Sequence, residues 1–271
     1  DMVAWMLAGK SINQPLRTSM LYNNADFNCS KFRGVGSWSV QNSGGGTTNP
    51  ETPLQGLVRS HNTTQASMAQ QIKLCSIADA ARILGYHNSP LGQESVYSAN
   101  SLNPPMTIGS VQASPLTVAN VYATIGADGV ACDPIAIKRV VDKNGKRLKV
   151  PSAHCHQAIP KGIAQTAAYA LNQGVVQPGG EASTTQLDGG RKTFAKTGTN
   201  EQYYMTTAGF VPYQVASFVA VGNAESQKSF NGMTINGRTM AAWYGMYIAT
   251  PAWKQFMNDY LNCLLYTSDA A

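Results

Sequence analysis

Residues 193–199 read Thr193-Phe194-Ala195-Lys196-Thr197-Gly198-Thr199. Their first five residues, β-branched and aromatic with a lysine pointing sideways, have the composition of a strand. Two similar runs, 206–211 and 215–222, follow after short polar turns. Connections this short make antiparallel neighbours the simplest arrangement, because a parallel pair needs a long crossover.

Upstream the period changes from two to that of a helix. Residues 1–9 read as a helix ended by Gly9, and residues 52–84 as a helical region closed by Gly85, with 63–73 and 76–84 as separate helices. Between them, residues 23–49 are rich in Gly, Ser and Asn and read as an extended surface loop. Ser114-Pro115 opens a further helix, with serine as N-cap and proline at the first position. Its Leu116, Ala119, Tyr122 and Ile125 share one face. Residues 133–140 and 146–151 form a hairpin about the turn Asp142-Lys143-Asn144-Gly145, a helix follows over 160–172, and Thr250-Pro251 starts a last one. Helices first, an antiparallel sheet later and a closing helix describe an α+β domain. We assign it residues 1–261. Residues 262–271 break the preceding pattern and read as a non-native tail.

Charged residues are 13% of the 271, roughly half the usual share, while Ser, Thr, Asn and Gln are plentiful. That balance suits a protein outside the cytoplasm. The net charge of +6 favours anionic partners such as wall polymers or carboxylate-bearing peptides, and the scattered Lys and Arg residues argue against nucleic acid. The longest apolar runs, 2–9 and 215–222, are too short for a membrane span. Five cysteines are present, without the paired spacing of a zinc site. Folding the chain about the 142–145 turn brings Cys132 opposite Cys155; a disulfide and a pair of unlinked thiols are both open there. Cys75 follows Met68 and Ile72 on one helical face and reads as a small core residue.

The chemistry-bearing residues begin with Lys196-Thr197-Gly198-Thr199. A strand lysine facing a cleft supplies charge for a substrate carboxylate. The Thr197 and Thr199 hydroxyls can hydrogen-bond that carboxylate, and Gly198 admits a ligand close to the backbone. On an edge strand the Thr199 N–H can meet a developing oxyanion. The bland alternative is an exposed strand end. Ser60-His61-Asn62, in a loop between two helices, is a weak pattern alone, and gains value by preceding the lysine strand by more than a hundred residues. His61 reads as a solvent-facing spacer.

These motifs, in this order, resemble the transpeptidase domain of class A penicillin-binding proteins of actinobacterial type. The likeness extends over Gly109-Ser110, Ser114-Pro115-Leu116-Thr117-Val118-Ala119, Tyr122-Ala123-Thr124, Asp128-Gly129, Val175-Val176 with Gly179-Gly180, and Phe210-Val211-Pro212. It implies a β-lactamase/transpeptidase-like fold with a five-stranded antiparallel sheet flanked by helices, here an incomplete domain. It also implies acyl transfer: a serine attacks the D-Ala-D-Ala bond of a peptidoglycan stem peptide, and a second stem's amine resolves the ester. Carried onto this chain, Ser60 shuttles protons, Asn62 holds the substrate amide and Lys196 sustains the proton network. Thr197 and Thr199 grip the terminal carboxylate, with Gly198 between them. The implied partners are stem peptides, their lipid-linked precursor and β-lactams, with no cofactor. The implied location is the extracytoplasmic face of the cell membrane, with the membrane reached through an anchor outside this chain.

The family's nucleophile and base lie in a Ser-x-x-Lys motif, and no lysine here has serine three residues before it. The helix over 1–9 resembles the continuation of the one that motif opens. The expectation is therefore a fragment that cannot be acylated alone. A serine β-lactamase or penicillin-sensing receptor carries the same motifs. A non-catalytic secreted wall-binding module is the alternative of another class.

Overall fold

The computed structural model describes residues 1–87, 102–223 and 226–268. Among these, the helices are α1 (Met2–Leu7), α2 (Pro53–Val58), α3 (Asn62–Ile72), α4 (Leu74–Ile83), α5 (Pro115–Gly126), α6 (Lys161–Val176) and α7 (Gly245–Ser268). The strands are β1 (Leu21–Asn23), β2 (Ser37–Ser39), β3 (Val130–Ala131), β4 (Val140–Val141), β5 (Arg147–Leu148), β6 (His156–Gln157), β7 (Phe194–Asn200), β8 (Tyr204–Val211), β9 (Val215–Gly222), β10 (Thr234–Ile235) and β11 (Arg238–Thr239). The main sheet is antiparallel in the order β7-β8-β9, with β7 at one edge. Three of the five expected strands are therefore seen among the described residues; the other sheets are two-stranded.

Each face of that sheet is covered by helices, as alternation along β7 requires. Ala195 turns to one face and packs with Trp253, Met257 and Leu261 of α7. Phe194 turns to the other, where it stacks on its register partner Phe210 with ring centroids 4.9 Å apart, against Leu171 of α6 and Tyr122 of α5. Gly209 admits the α7 contact, since a Cβ there would lie 2.6 Å from Trp253 Cζ2. A second core of Trp5, Leu16, Tyr22, Phe27, Met68, Leu74 and Ile77 binds α1, α3 and α4 into the helical half.

Several sequence expectations change. Residues 23–49 are more than a surface loop: β2 pairs with β1, and Phe27, Val40 and Asn42 are buried. Asn42 caps α3 from a distance. Its Oδ1 accepts from Thr63 N–H at 3.0 Å, while the N-cap residue His61 makes no side-chain cap of its own. Cys75 is not a plain core residue; it forms a disulfide with Cys29, 46 positions away, tying this region to α4. A local helical face could not reveal so distant a partner. Cys132 and Cys155 are also bonded, next to the β3–β6 ladder in which Ala131 faces His156. The hairpin is shorter than expected, limited to β4 and β5, and Gly145 takes the left-handed conformation at its turn with φ 81°. Leu116 is 62% exposed instead of sharing the buried face of α5.

The last helix starts at Gly245 and keeps Pro251 inside, six positions on. Its beginning is set by contact with the sheet: a Cβ on Gly245 would come within 2.3 Å of the Gly198 carbonyl oxygen. The helix continues past Leu261, which is buried against the sheet, to Ser268. Residues 269–271 of the sequence-assigned tail lie outside the described residues.

Candidate active site

The Ser60-His61-Asn62 segment turns the chain from α2 into α3. Thr52 and Gln55 form a reciprocal capping box that starts α2, with Pro53 in its first turn. The helix then stops at Arg59, and Ser60 adopts φ 56°, an unusual conformation for a residue with a Cβ. His61 N–H returns to Gly56 O at 2.8 Å, and Asn62 becomes the first residue of α3. Gly56 is what lets the helices meet, since a Cβ there would be 2.5 Å from Thr64 Cβ.

Opposite this turn lies β7. Lys196 Nζ donates to Ser60 Oγ at 2.6 Å and to the Thr197 carbonyl at 2.9 Å. Burial lowers the Lys196 ammonium to about 8, against a smaller upward pull from the Glu181 carboxylate. The Thr197 hydroxyl donates to Glu181 O at 3.4 Å, and Glu181 N–H donates to Val58 O at 3.0 Å, so the residue after Gly179-Gly180 joins α2 to β7. Gly180 makes this turn possible, because a Cβ would sit 2.3 Å from Gly174 O. The Thr199 hydroxyl accepts from Gly245 N–H at 3.0 Å, which fixes it against the start of α7. Gly198 faces its register partner Thr206, whose hydroxyl lies 2.3 Å from where a Cβ would stand. Its lack of a side chain thus serves the sheet as well as any ligand. The Asn62 amide donates to Gln41 O at 2.8 Å.

Ser60, Asn62, Thr197, Gly198 and Thr199 line one cleft of about 680 Å³, together with Arg59, Glu181, Gln202, Tyr203, Tyr244 and Gly245, and Lys196 reaches this lining through its bond to Ser60. The cleft lining offers hydroxyls and a carboxamide, with the Lys196 ammonium bonded to Ser60 behind it. That set can receive a carboxylate-ended peptide and pass a proton between a hydroxyl and an amine. Among the described residues no group of His, Cys, Asp and Glu converges as metal ligands would.

Residues 15–258 match the family described as the penicillin binding protein transpeptidase domain. The chain belongs to this family. The transpeptidase domain is 30% identical over 201 residues to penicillin-binding protein 1A of Mycobacterium tuberculosis, covering 69% of this chain and 23% of that protein. It is 27% identical over 248 residues to penicillin-binding protein 1A of Mycolicibacterium smegmatis, covering 85% and 30%. These relatives place it with the class A penicillin-binding proteins, and it spans less than a third of their length. The structure of PonA1 from Mycobacterium tuberculosis in complex with penicillin V superposes with a TM-score of 0.77 at 22% identity, over 95% of this chain and 65% of that one. That likeness carries the β-lactamase/transpeptidase-like fold.

The sequence reading of this penicillin-binding domain missed several cleft residues. Arg59 and Glu181 sit beside quoted motifs and were within reach of a closer reading. Tyr244 and Gly245 carry no local signal; only the seating of α7 on the sheet brings them to the cleft. His61 departs from its expected role. It does not face solvent as a spacer but turns inward, its Nδ1 2.9 Å from Oε1 of the fully buried Glu51.

Proposed function

We propose that this cleft is the acyl-transfer site of a peptidoglycan D,D-transpeptidase, which takes D-Ala-D-Ala stem peptides as donors and β-lactams as their mimics. The observation that carries the reading is the hydrogen bond from Lys196 Nζ to Ser60 Oγ, where Ser60 lines a cleft together with Asn62, Thr197 and Thr199. In this mechanism a serine Oγ attacks the carbonyl carbon of the penultimate D-Ala and passes its proton to the lysine of its own Ser-x-x-Lys motif. The C–N bond to terminal D-Ala breaks, and Ser60 hands the departing nitrogen a proton, replaced from Lys196. An amine of a second stem then attacks the ester, forms the new amide and returns its proton to the Ser60–Lys196 pair. The released serine oxygen takes back the proton held by the lysine of its own motif. Lys196, Thr197 and Thr199 bind the terminal carboxylate of the donor, and Asn62, anchored through its amide N–H, offers its oxygen to the donor's backbone N–H. The Thr199 N–H stands as part of the oxyanion hole.

Since no lysine in residues 1–271 follows serine by three, the ester forms on a serine outside this chain, and residues 1–271 alone take up no penicillin covalently. The two disulfides support an oxidising, extracytoplasmic location. Among the described residues no helix is long and apolar enough to cross a membrane. The site acts within residues 1–261, with 262–271 dispensable. The test is fluorescent-penicillin labelling of a longer chain that includes the upstream Ser-x-x-Lys. A covalent band that disappears in Lys196→Ala supports the reading; a full-length chain that never labels defeats it.

A further inference from the structure

Glu51 is fully buried at 0% exposure, an environment that carboxylates rarely occupy unless paired. Its backbone is held in place: Leu16 N–H donates to Glu51 O at 2.8 Å, and Glu51 N–H donates to Leu16 O at 3.0 Å. Its carboxylate reaches the Ser60-His61-Asn62 turn from below. His61 Nδ1 lies 2.9 Å from Oε1 and 3.0 Å from Oε2. Arg59 Nη1 lies 3.6 Å from Oε1. The Thr64 hydroxyl, one turn into α3, donates to Oε2. One anion therefore holds the residue before Ser60, the residue after it, and the helix that carries Asn62.

The backbone between those two tethers is the part that needs holding. Ser60 sits at φ 56°, a conformation costing about 1 kcal/mol or more for a residue with a Cβ, so it persists only where its surroundings impose it. That conformation directs the Ser60 hydroxyl to Lys196. The turn is also closed by its own backbone, Ser60 N–H donating to Leu57 O at 3.2 Å and His61 N–H to Gly56 O at 2.8 Å. The Asn42 cap acts on Thr63, and Asn62 is tied to Gln41. Glu51 adds the side-chain grip on both residues that flank Ser60.

We propose that Glu51, acting through His61, is a positioning residue for the acyl-transfer site, holding the Ser60 turn where its hydroxyl meets Lys196. This rests on the function proposed above, but the placement itself can be measured without any ligand. Asparagine puts its amide nitrogen at nearly the same reach as imidazole Nδ1, so His61→Asn keeps the donor to Glu51 and His61→Ala removes it. The readout is the nuclear Overhauser contact between the Lys196 ε-methylene and the Ser60 β-methylene, with lysine and serine selectively labelled, alongside the melting temperature.

The contact is expected to be lost in His61→Ala, retained in His61→Asn, and weakened in Glu51→Gln, which keeps the volume but not the charge. In the longer, labelling-competent chain the same series should lower, restore and lower the rate of penicillin uptake, by about tenfold for His61→Ala. An undiminished contact in both His61→Ala and Glu51→Gln overturns the proposal. So does an equal loss of melting temperature in His61→Ala and His61→Asn with the contact following stability alone. Should Glu51→Gln fail to fold, the two His61 variants decide. A parent that takes up no penicillin defeats the functional reading, while the contact measurement still judges the positioning role.

Discussion

Lys196 Nζ stands 2.6 Å from Ser60 Oγ across 136 positions of sequence. The lysine comes from an edge strand whose alternate residues pack on α7, and the serine from a strained turn between two helices. Neither element sets this distance alone. It is produced by the Glu181 segment, which bonds to both Val58 and Thr197, and by the packing of α2 against α6 and β7.

The low value of the Lys196 ammonium fixes the direction of its pH effects. Folding brings it from 10.5 to about 8. Between those values the unfolded chain binds more protons than the folded one, so Lys196 makes stability rise with pH across the window. Urea unfolding should show the parent gaining stability relative to Lys196→Met on going from below pH 8 to near pH 10.5. A constant difference between the two would contradict the burial described. Affinity for a carboxylate-ended ligand should fall as pH rises through about 8, where the folded protein's Lys196 ammonium loses its proton. Glu181→Gln removes the upward pull and should move that fall to lower pH.

Ser60 separates strain from chemistry. Ser60→Gly removes the hydroxyl but suits φ 56°, whereas Ser60→Ala removes the hydroxyl and keeps the conformational cost. The glycine variant should be more stable than the alanine variant by about 1 kcal/mol in denaturant titration. Both should be impaired in penicillin labelling of the longer chain. A glycine variant less stable than alanine would mean the turn relaxes in solution.

Gly245 connects the sheet to the start of α7. Its missing Cβ would meet Gly198 O at 2.3 Å and Thr206 O at 2.8 Å, both backbone atoms that cannot step aside. Gly245→Ala should cost about 1–3 kcal/mol and free the Thr199 hydroxyl from its partner. Thermal unfolding together with ligand affinity reads both effects, and an unchanged melting temperature would refute the close seating.

The disulfides should contribute unequally. Loop-closure entropy gives about 4 kcal/mol for Cys29–Cys75, separated by 46 positions, and about 3 kcal/mol for Cys132–Cys155, separated by 23. Replacing Cys29 and Cys75 with serine should therefore lower the denaturation midpoint more than replacing Cys132 and Cys155. The reverse order would show that the first bridge adds little to contacts already made by Phe27 and Leu74.

What residues 1–271 determine unaided are features written in neighbouring positions. The Ser114 and Thr52 caps, the alternation through β7, β8 and β9, and the Lys-Thr-Gly-Thr and Ser-x-Asn motifs all depend on backbone geometry within a few residues. The class of fold and the residues of the two motifs that meet at the cleft were legible from these. Tertiary structure alone decided the remainder: the Cys29–Cys75 bond, the remote Asn42 cap, the start of α7 six residues before its proline, and the inward turn of His61 to Glu51. Each depends on a partner that chain folding brings near, and hydrogen bonding and packing have a range of a few ångströms in space but no fixed range in sequence.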